Sequence, residues 1–91
     1  MKFEYDMNKS AANKRKHGMD FEEIQELWRD PDMLVVPART MDEERFLGVG
    51  MVAGKVWAVI FTYRGDAIRI ISARRARQKE ISYYEHQNQS R

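Results

Sequence analysis

The run from Val56 to Tyr63 (VWAVIFTY) restricts the fold more than any other part of the chain. Every residue in it is apolar, β-branched or aromatic, the composition of a buried central strand. Gly65-Asp66 follows as a tight-turn signal, because glycine takes the positive φ that a two-residue hairpin loop needs. Ala67 to Ala73 is then the return strand. This turn sets Arg64 opposite Ala67, Tyr63 opposite Ile68, Thr62 opposite Arg69 and Ile60 opposite Ile71. Side chains alternate along a strand and opposed residues share a face. Trp57, Val59, Phe61, Tyr63, Ile68 and Ile70 therefore make a core face. Ile60, Thr62, Arg64, Arg69 and Ile71 make the other, with Arg64 and Arg69 diagonal to each other and within reach of one anion.

The hairpin leads into a basic run. From Arg64 to Lys79 there are Arg64, Arg69, Arg74, Arg75, Arg77 and Lys79 against one acid, Asp66, although the whole chain carries only +2. A local basic patch on a nearly neutral protein points to an anionic partner. Its 91 residues make one domain with a modest core, taken as an ordered stretch over about 2–86 and a polar tail over 87–91. The 33% charged and 43% hydrophobic content is that of an ordinary soluble globular protein. No run reaches the apolar length of a membrane span, and the N-terminus lacks a secretory signal pattern. The absence of cysteine excludes a disulfide framework and a thiolate metal site. These features set the expectation of a cytoplasmic protein with no membrane partner.

Along the chain, Lys2 to Tyr5 alternates as a short edge strand. Asp6 or Asn8 caps a helix running to about Lys16, and His17-Gly18 ends it, with Gly18 left-handed. Lys14, Arg15, Lys16 and His17 oppose the negative end of that helix. Asp20 and Glu23 form a capping box for a second helix, with Met19 and Ile24 as a hydrophobic staple. Phe21, Ile24, Leu27 and Trp28 share its core face, and Asp30-Pro31 stops it, completing an αα-hairpin. Met33 to Val36 is a strand broken by Pro37, Arg39 to Glu43 a polar connection, and Arg45 to Met51 a strand. Gly48 and Gly50 weaken that strand or permit a bulge or close packing, and Ala53-Gly54 turns the chain back. Gln78 to His86 is a last helix, with Glu80 and Tyr84 four apart on one face, before a frayed tail from Gln87 to Arg91. The order β-α-α-β-β-β-β-α, with consecutive antiparallel strands, argues for an α+β sandwich.

These pieces resemble, in order and spacing, the BrnT toxins of bacterial type II toxin–antitoxin pairs, a branch of the RelE/ParE superfamily. The matching pieces begin with Phe3-Glu4-Tyr5-Asp6, Asn13-Lys14-Arg15-Lys16-His17-Gly18 and Phe21-Glu22-Glu23. They continue with Glu44-Arg45-Phe46, Arg64-Gly65-Asp66, Arg69-Ile70-Ile71-Ser72-Ala73-Arg74-Arg75-Ala76, Glu80 and Tyr84. Tyr5 stands where the family usually has Trp, Tyr63 where an acid is common, and Arg77 where a Thr often follows Ala76. The resemblance implies a RelE/ParE-like α+β fold and a toxin that blocks translation as a ribonuclease. It also implies a ribbon-helix-helix antitoxin, BrnA, in a complex of two toxins and two antitoxins that represses its own operon.

Cleaving RNA through its own 2′-hydroxyl requires a group to take the proton, a group to stabilise the phosphorane and a group to protonate the leaving oxygen. Arginine suits the middle task, being always protonated and able to hold two phosphate oxygens in a planar fork. Arg64 and Arg69 take that role here, with Arg74, Arg75 and Lys14 as RNA-phosphate contacts. His17, Glu80 and Tyr84 are the proton-transfer candidates. For each there is a structural alternative: His17 as a helix-end cation, Glu80 as a salt-bridge partner of Arg74 or Arg75, and Tyr84 as core. His86, in the expected tail, has no role. Glu22, Glu23, Asp42, Glu43 and Glu44 do not form a convergent ligand set, so no metal and no cofactor are expected. Two other readings use the same basic face: a ParE-like poison of DNA gyrase without catalysis, and an inactive homologue that only binds and co-represses.

Overall fold

Strand β4 (Lys55–Arg64) runs through the middle of a five-stranded sheet and has helical cover on both faces. The computed structural model describes residues 1–38 and 43–89. Its other strands are β1 (Lys2–Glu4), β2 (Leu34–Ala38), β3 (Arg45–Val52) and β5 (Ala67–Arg75), in the spatial order β1-β5-β4-β3-β2. Strands β2 to β5 form an antiparallel meander, and β1 adds to β5 in parallel, so the sheet is mixed. Helix α1 (Met7–His17), a 3-10 helix (Glu23–Arg29) and helix α2 (Gln78–Gln89) complete the α+β fold expected from the sequence. Among the described residues no helix is long and apolar enough to cross a membrane.

The two hairpin turns differ in type. Ala53 and Gly54 both have positive φ, 51° and 79°, as a type I′ turn demands. In the second turn only Gly65 does, at 61°, the pattern of type II′. The expected pairs Arg64–Ala67, Tyr63–Ile68 and Thr62–Arg69 are present. Ile60, however, faces Ser72 and not Ile71, because the register shifts between Ile60 and Phe61. Ile71 is the extra residue of a β-bulge, which no local sequence signal marks. Beyond it the alternation is inverted: Ala73 faces Val59 in the core, Arg74 faces Ala58 and Arg75 faces Trp57. A second correction concerns Tyr63. It lies on the core face, edge-on to Phe46 and Phe61, but at the hairpin tip its residue surface is 55% exposed.

The main core lies on the face carrying Trp57, Val59 and Phe61, and is closed by Met19, Phe21, Ile24 and Leu27. The second helical element is 3-10 and not the α-helix of the expected αα-hairpin. The buried residues explain why: Phe21 in the preceding turn and Ile24 and Leu27 within it recur every third position, and side chains three apart eclipse in a 3-10 helix. The capping box forms as expected. Asp20 Oδ1 accepts from the Glu23 amide at 2.7 Å, and Glu23 Oε1 accepts from the Asp20 amide at 3.0 Å. Trp28 sits between Phe3 and Phe61, with ring centroids 5.0 and 5.1 Å away, and so ties β1 to the sheet centre. Gly48 and Gly50 are close-packing glycines; a Cβ at Gly50 would lie 3.0 Å from Leu27 Cδ1 and 3.1 Å from Asp30 Oδ2.

On the opposite face, α2 covers a smaller cluster of Val49, Val56, Ala58 and Tyr84. Strand β2 continues through Pro37 to Ala38 and does not break there. It is an edge strand, where the missing N–H of proline is tolerated. Helix α2 extends to Gln89, past the expected frayed start at Gln87. The polar connection expected at Arg39–Glu43 lies outside the described residues up to position 42, as do Ser90 and Arg91.

Helix α1 is capped by Asp6, whose Oδ1 accepts from the Asn8 and Lys9 amides, and ends at a left-handed Gly18 with φ 80°. Its buried residues are polar, Ser10 and Asn13. β1 pairs with β5 only from Ala67 to Arg69, which leaves the rest of that edge of β5 without a strand. Asn13 fills the gap. Its Nδ2 donates to Ala73 O at 2.9 Å and Met19 O at 2.7 Å, and its Oδ1 accepts from Ala73 N at 3.3 Å. The side chain thus replaces a missing strand partner. Asn13→Ala should lower stability by about 2 kcal/mol or more, since buried backbone groups lose their partners. Asn13→Asp should cost at least as much, because a carboxylate cannot donate to the two carbonyls. Urea midpoints of both variants at constant m-value test this; a wild-type midpoint in either would refute the clasp.

Candidate nucleic-acid interface

Arg64 and Arg69 project from the sheet face opposite the main core. Arg64 is exposed at the end of β4, and its side chain makes no hydrogen bond or ion pair among the described residues. Arg69 is half-buried: its Nη1 donates to Glu4 Oε2 at 3.0 Å, with side chains 29% and 41% exposed. Glu4 is its register partner on β1. One strand spacing and two residue steps separate the two arginines, a backbone distance of about 8 Å. Between them Thr62 is buried and its hydroxyl donates to Glu44 O at 2.6 Å, which fixes the row.

Arg74 shares this face at the other end of β5, where it forks onto Glu80 of α2. Nη1 donates to Oε1 at 2.8 Å and Nη2 to Oε2 at 2.9 Å. Glu80 Oε1 also accepts from the Arg77 amide at 2.8 Å, which is half of a capping box. The start of α2 is therefore capped although Arg77 has no hydroxyl. The Arg74 fork holds the Glu80 carboxyl below its ordinary range, against the opposing effect of burial, and Glu80 in turn raises Arg74. Tyr84, one turn on, is buried. Its hydroxyl donates to Asp30 Oδ2 at 2.5 Å, and that oxygen also accepts from the Met51 amide at 2.8 Å. Burial, with the Asp30 carboxylate second, pushes the Tyr84 phenol up to about 12. The structural alternatives for Glu80 and Tyr84 are thus both visible as bonds, and together they fasten α2 to the sheet and to the loop after the 3-10 helix.

Arg75, Lys14 and His17 lie elsewhere. The bulge turns Arg75 onto the core face, its guanidinium carbon 5.7 Å from the centre of the Trp57 ring. Lys14 Nζ donates to both Glu23 oxygens, at 2.8 and 3.0 Å, which raises the Lys14 pKa and lowers that of Glu23. His17 is exposed at the C-terminus of α1. From Asn13, which meets Ala73, four helical residues and two strand residues each advance about 6 Å, so His17 comes level with Arg75. Arg64 is then roughly 25 Å away, at the far end of the hairpin. The structure therefore brings together Arg64 with Arg69 and, separately, Arg74 with Glu80. It does not bring His17 or Lys14 to either pair.

Two site residues were missed from sequence. Glu4 becomes the Arg69 partner only through a parallel pairing between strands at opposite ends of the chain. Asp30, read as a helix stop, is the shared acceptor for Tyr84 and Met51; the three-residue repeat Phe21, Ile24, Leu27, Asp30 was the available signal. Among the described residues no three His, Asp or Glu side chains converge to hold a metal. Chemically, this face presents two guanidinium groups from one strand pair, Arg69 held by Glu4 and Arg64 with no side-chain partner among the described residues.

Comparison with known proteins adds one match. The family model for BrnT, the ribonuclease toxin of type II toxin–antitoxin systems, matches residues 5–80, which include every predicted site residue except Tyr84. No curated protein matches the chain.

The Arg74–Glu80 bridge has a defined pH signature. Because the folded-state pKa of Glu80 is lowered, its stabilisation is present above the unfolded carboxylate pKa and is lost as pH falls through the folded one. Glu80→Gln should cost about 2 kcal/mol at pH 7, and its Tm deficit should shrink as the pH drops below about 4. Melting curves of both proteins from pH 7 to pH 3 measure this; a deficit independent of pH would show that the bridge does not stabilise the fold.

Proposed function

We propose, for a chain that belongs to the BrnT family of ribonuclease toxins of type II toxin–antitoxin systems, that it cleaves RNA without a metal ion and so stops translation. The observation that carries this reading is the position of Arg64 and Arg69 on one face of a hairpin, at fixed register. Arg64 and Arg69 hold the scissile phosphate and stabilise the charge that builds on it when the 2′-hydroxyl attacks. Guanidinium groups supply there the charge neutralisation that a metal ion would otherwise give. Glu4 keeps Arg69 extended toward the phosphate, and Arg74, about 16 Å along the strand, takes a flanking phosphate. Glu80 and Tyr84 hold α2 and Arg74 in place, while His17, Lys14 and Arg75 meet RNA outside the cut. The whole chain acts as one toxin domain in the cytoplasm.

A type II system supplies an antitoxin. In this reading it is a BrnA-like ribbon-helix-helix protein, bound as two toxins and two antitoxins, that neutralises the toxin by covering the arginine face and carries the complex to operator DNA.

Arg64→Ala and Arg69→Ala should each slow cleavage of a labelled RNA by about 100-fold or more, the usual cost of removing a preorganised donor from a developing oxyanion. Arg64 is exposed and Arg69 forms only a half-exposed pair, so the Tm of each variant should stay within a few degrees of wild type. In induced cells protein synthesis should fall before DNA synthesis. Folded variants that still arrest growth would overturn the arginine platform, and an early fall in DNA synthesis would overturn the ribonuclease reading.

A further inference from the structure

Beside α2, on the same sheet face as Arg64 and Arg69, lies an open groove of about 230 Å³. Its floor is Leu34, Val36, Leu47 and Val49, and its helical wall is Lys79, Glu80 and Tyr83. Val36 and Tyr83 are left 40% and 58% exposed, although Leu34 and Leu47 beneath are partly buried against the α2 cluster. The groove is thus a gap in the cover that α2 gives this face. Its charge has one sign. Glu80, the acid in the wall, is already committed to Arg74, whereas Lys79 and Arg77 are exposed at the start of α2 and their charged groups have no hydrogen-bond or ion-pair partner among the described residues.

The groove is also continuous with the arginine face. Val36 pairs with Leu47, Leu47 with Ile60 and Ile60 with Ser72, a row that runs from the groove floor to β5. The adjacent row on this face carries Thr62 and Arg69. Two strand spacings, about 10 Å, separate the groove floor from β5, less than the length of two helical turns. The neighbouring sheet edge does not favour an added strand, because Pro37 in β2 offers no N–H to continue the ladder. An apolar trough on a sheet face beside a helix instead accepts the apolar stripe of another helix.

We propose that this groove is the anchor for an amphipathic helix of the antitoxin, apolar along one stripe and acidic beside it. The stripe fills the space over Val36 and Leu47, and the acids meet Lys79, Arg77 and the arginine face. The inference rests on the reading above that an antitoxin neutralises the toxin by covering Arg64 and Arg69. It assigns the grip to residues outside the chemistry.

The test uses the full chain, recovered from its complex and titrated with purified antitoxin, beside Val36→Glu and Lys79→Glu. Both positions are exposed, so both variants should fold and keep wild-type ribonuclease activity. Each should bind antitoxin on the order of 10-fold or more weaker, and cells co-expressing either variant with antitoxin should stop growing. A photoreactive residue introduced as Tyr83→p-benzoylphenylalanine should crosslink to an antitoxin segment with apolar residues three and four apart and acids between them. Wild-type affinity in both variants overturns the groove and leaves the neutralisation reading standing. A wild-type chain that antitoxin neither binds nor silences overturns that reading, and this inference with it. A crosslink to a strand, or a toxin dimer that Val36→Glu dissociates at unchanged antitoxin affinity, also overturns the proposal.

Discussion

One extra residue in β5 determines how the two helices and the late arginines are arranged. Without the bulge at Ile71, the register set at the Gly65-Asp66 turn would run on and place Arg74 opposite Trp57, on the core face. With it, Ala73 enters the core, Arg74 turns to meet Glu80 of α2, and Arg75 lies over Trp57. The bulge also presents Ala73 at a point along the open edge of β5 where Asn13 can bond both its backbone groups. Both helices are therefore attached to the residues that follow the bulge. A bulge strengthens local twist and re-aims side chains, and here it decides which arginine joins which face.

The arginines of this region differ in what the fold has already done with them. Arg74 is forked onto a carboxylate, Arg69 is steadied by one, and Arg64 at the tip has no side-chain partner among the described residues. An exposed guanidinium beside a steadied one suits anion capture, since the second is pre-oriented and the first can adjust. Arg74 serves the fold, because its partner also caps α2. The order of charges along the sequence gives no hint of this division of roles.

Helix α2 leaves a similar division on the other half of the same face. Glu80 and Tyr84 tie it to β5 and to Asp30, and between these ties the helix stands off the sheet edge far enough to expose Val36 and Leu47 to one side. The surface that holds the helix and the surface it leaves open adjoin the arginine row. A partner seated there would meet apolar surface and positive charge together.

The alternation of Val56 to Tyr63, the glycine turns, the caps at Asp6, Gly18 and Asp20, and the pairing nearest the turn were all legible in the sequence. Each depends on neighbours within a few residues, where steric and hydrogen-bond preferences act without help from the rest of the chain. The shared face of Arg64 and Arg69 belongs to this class. The continuation of β2 through Pro37 does not, because only its place at the sheet edge frees it from needing that N–H. Nor do the Ile71 bulge, the Glu4–Arg69 pair, the Asn13 clasp or the separation of His17 from Arg64. Those depend on parallel pairing between chain ends and on which edge of β5 is left open. Local chemistry along the chain determined the hairpin and its two guanidinium groups; long-range pairing decided which other side chains stand beside them.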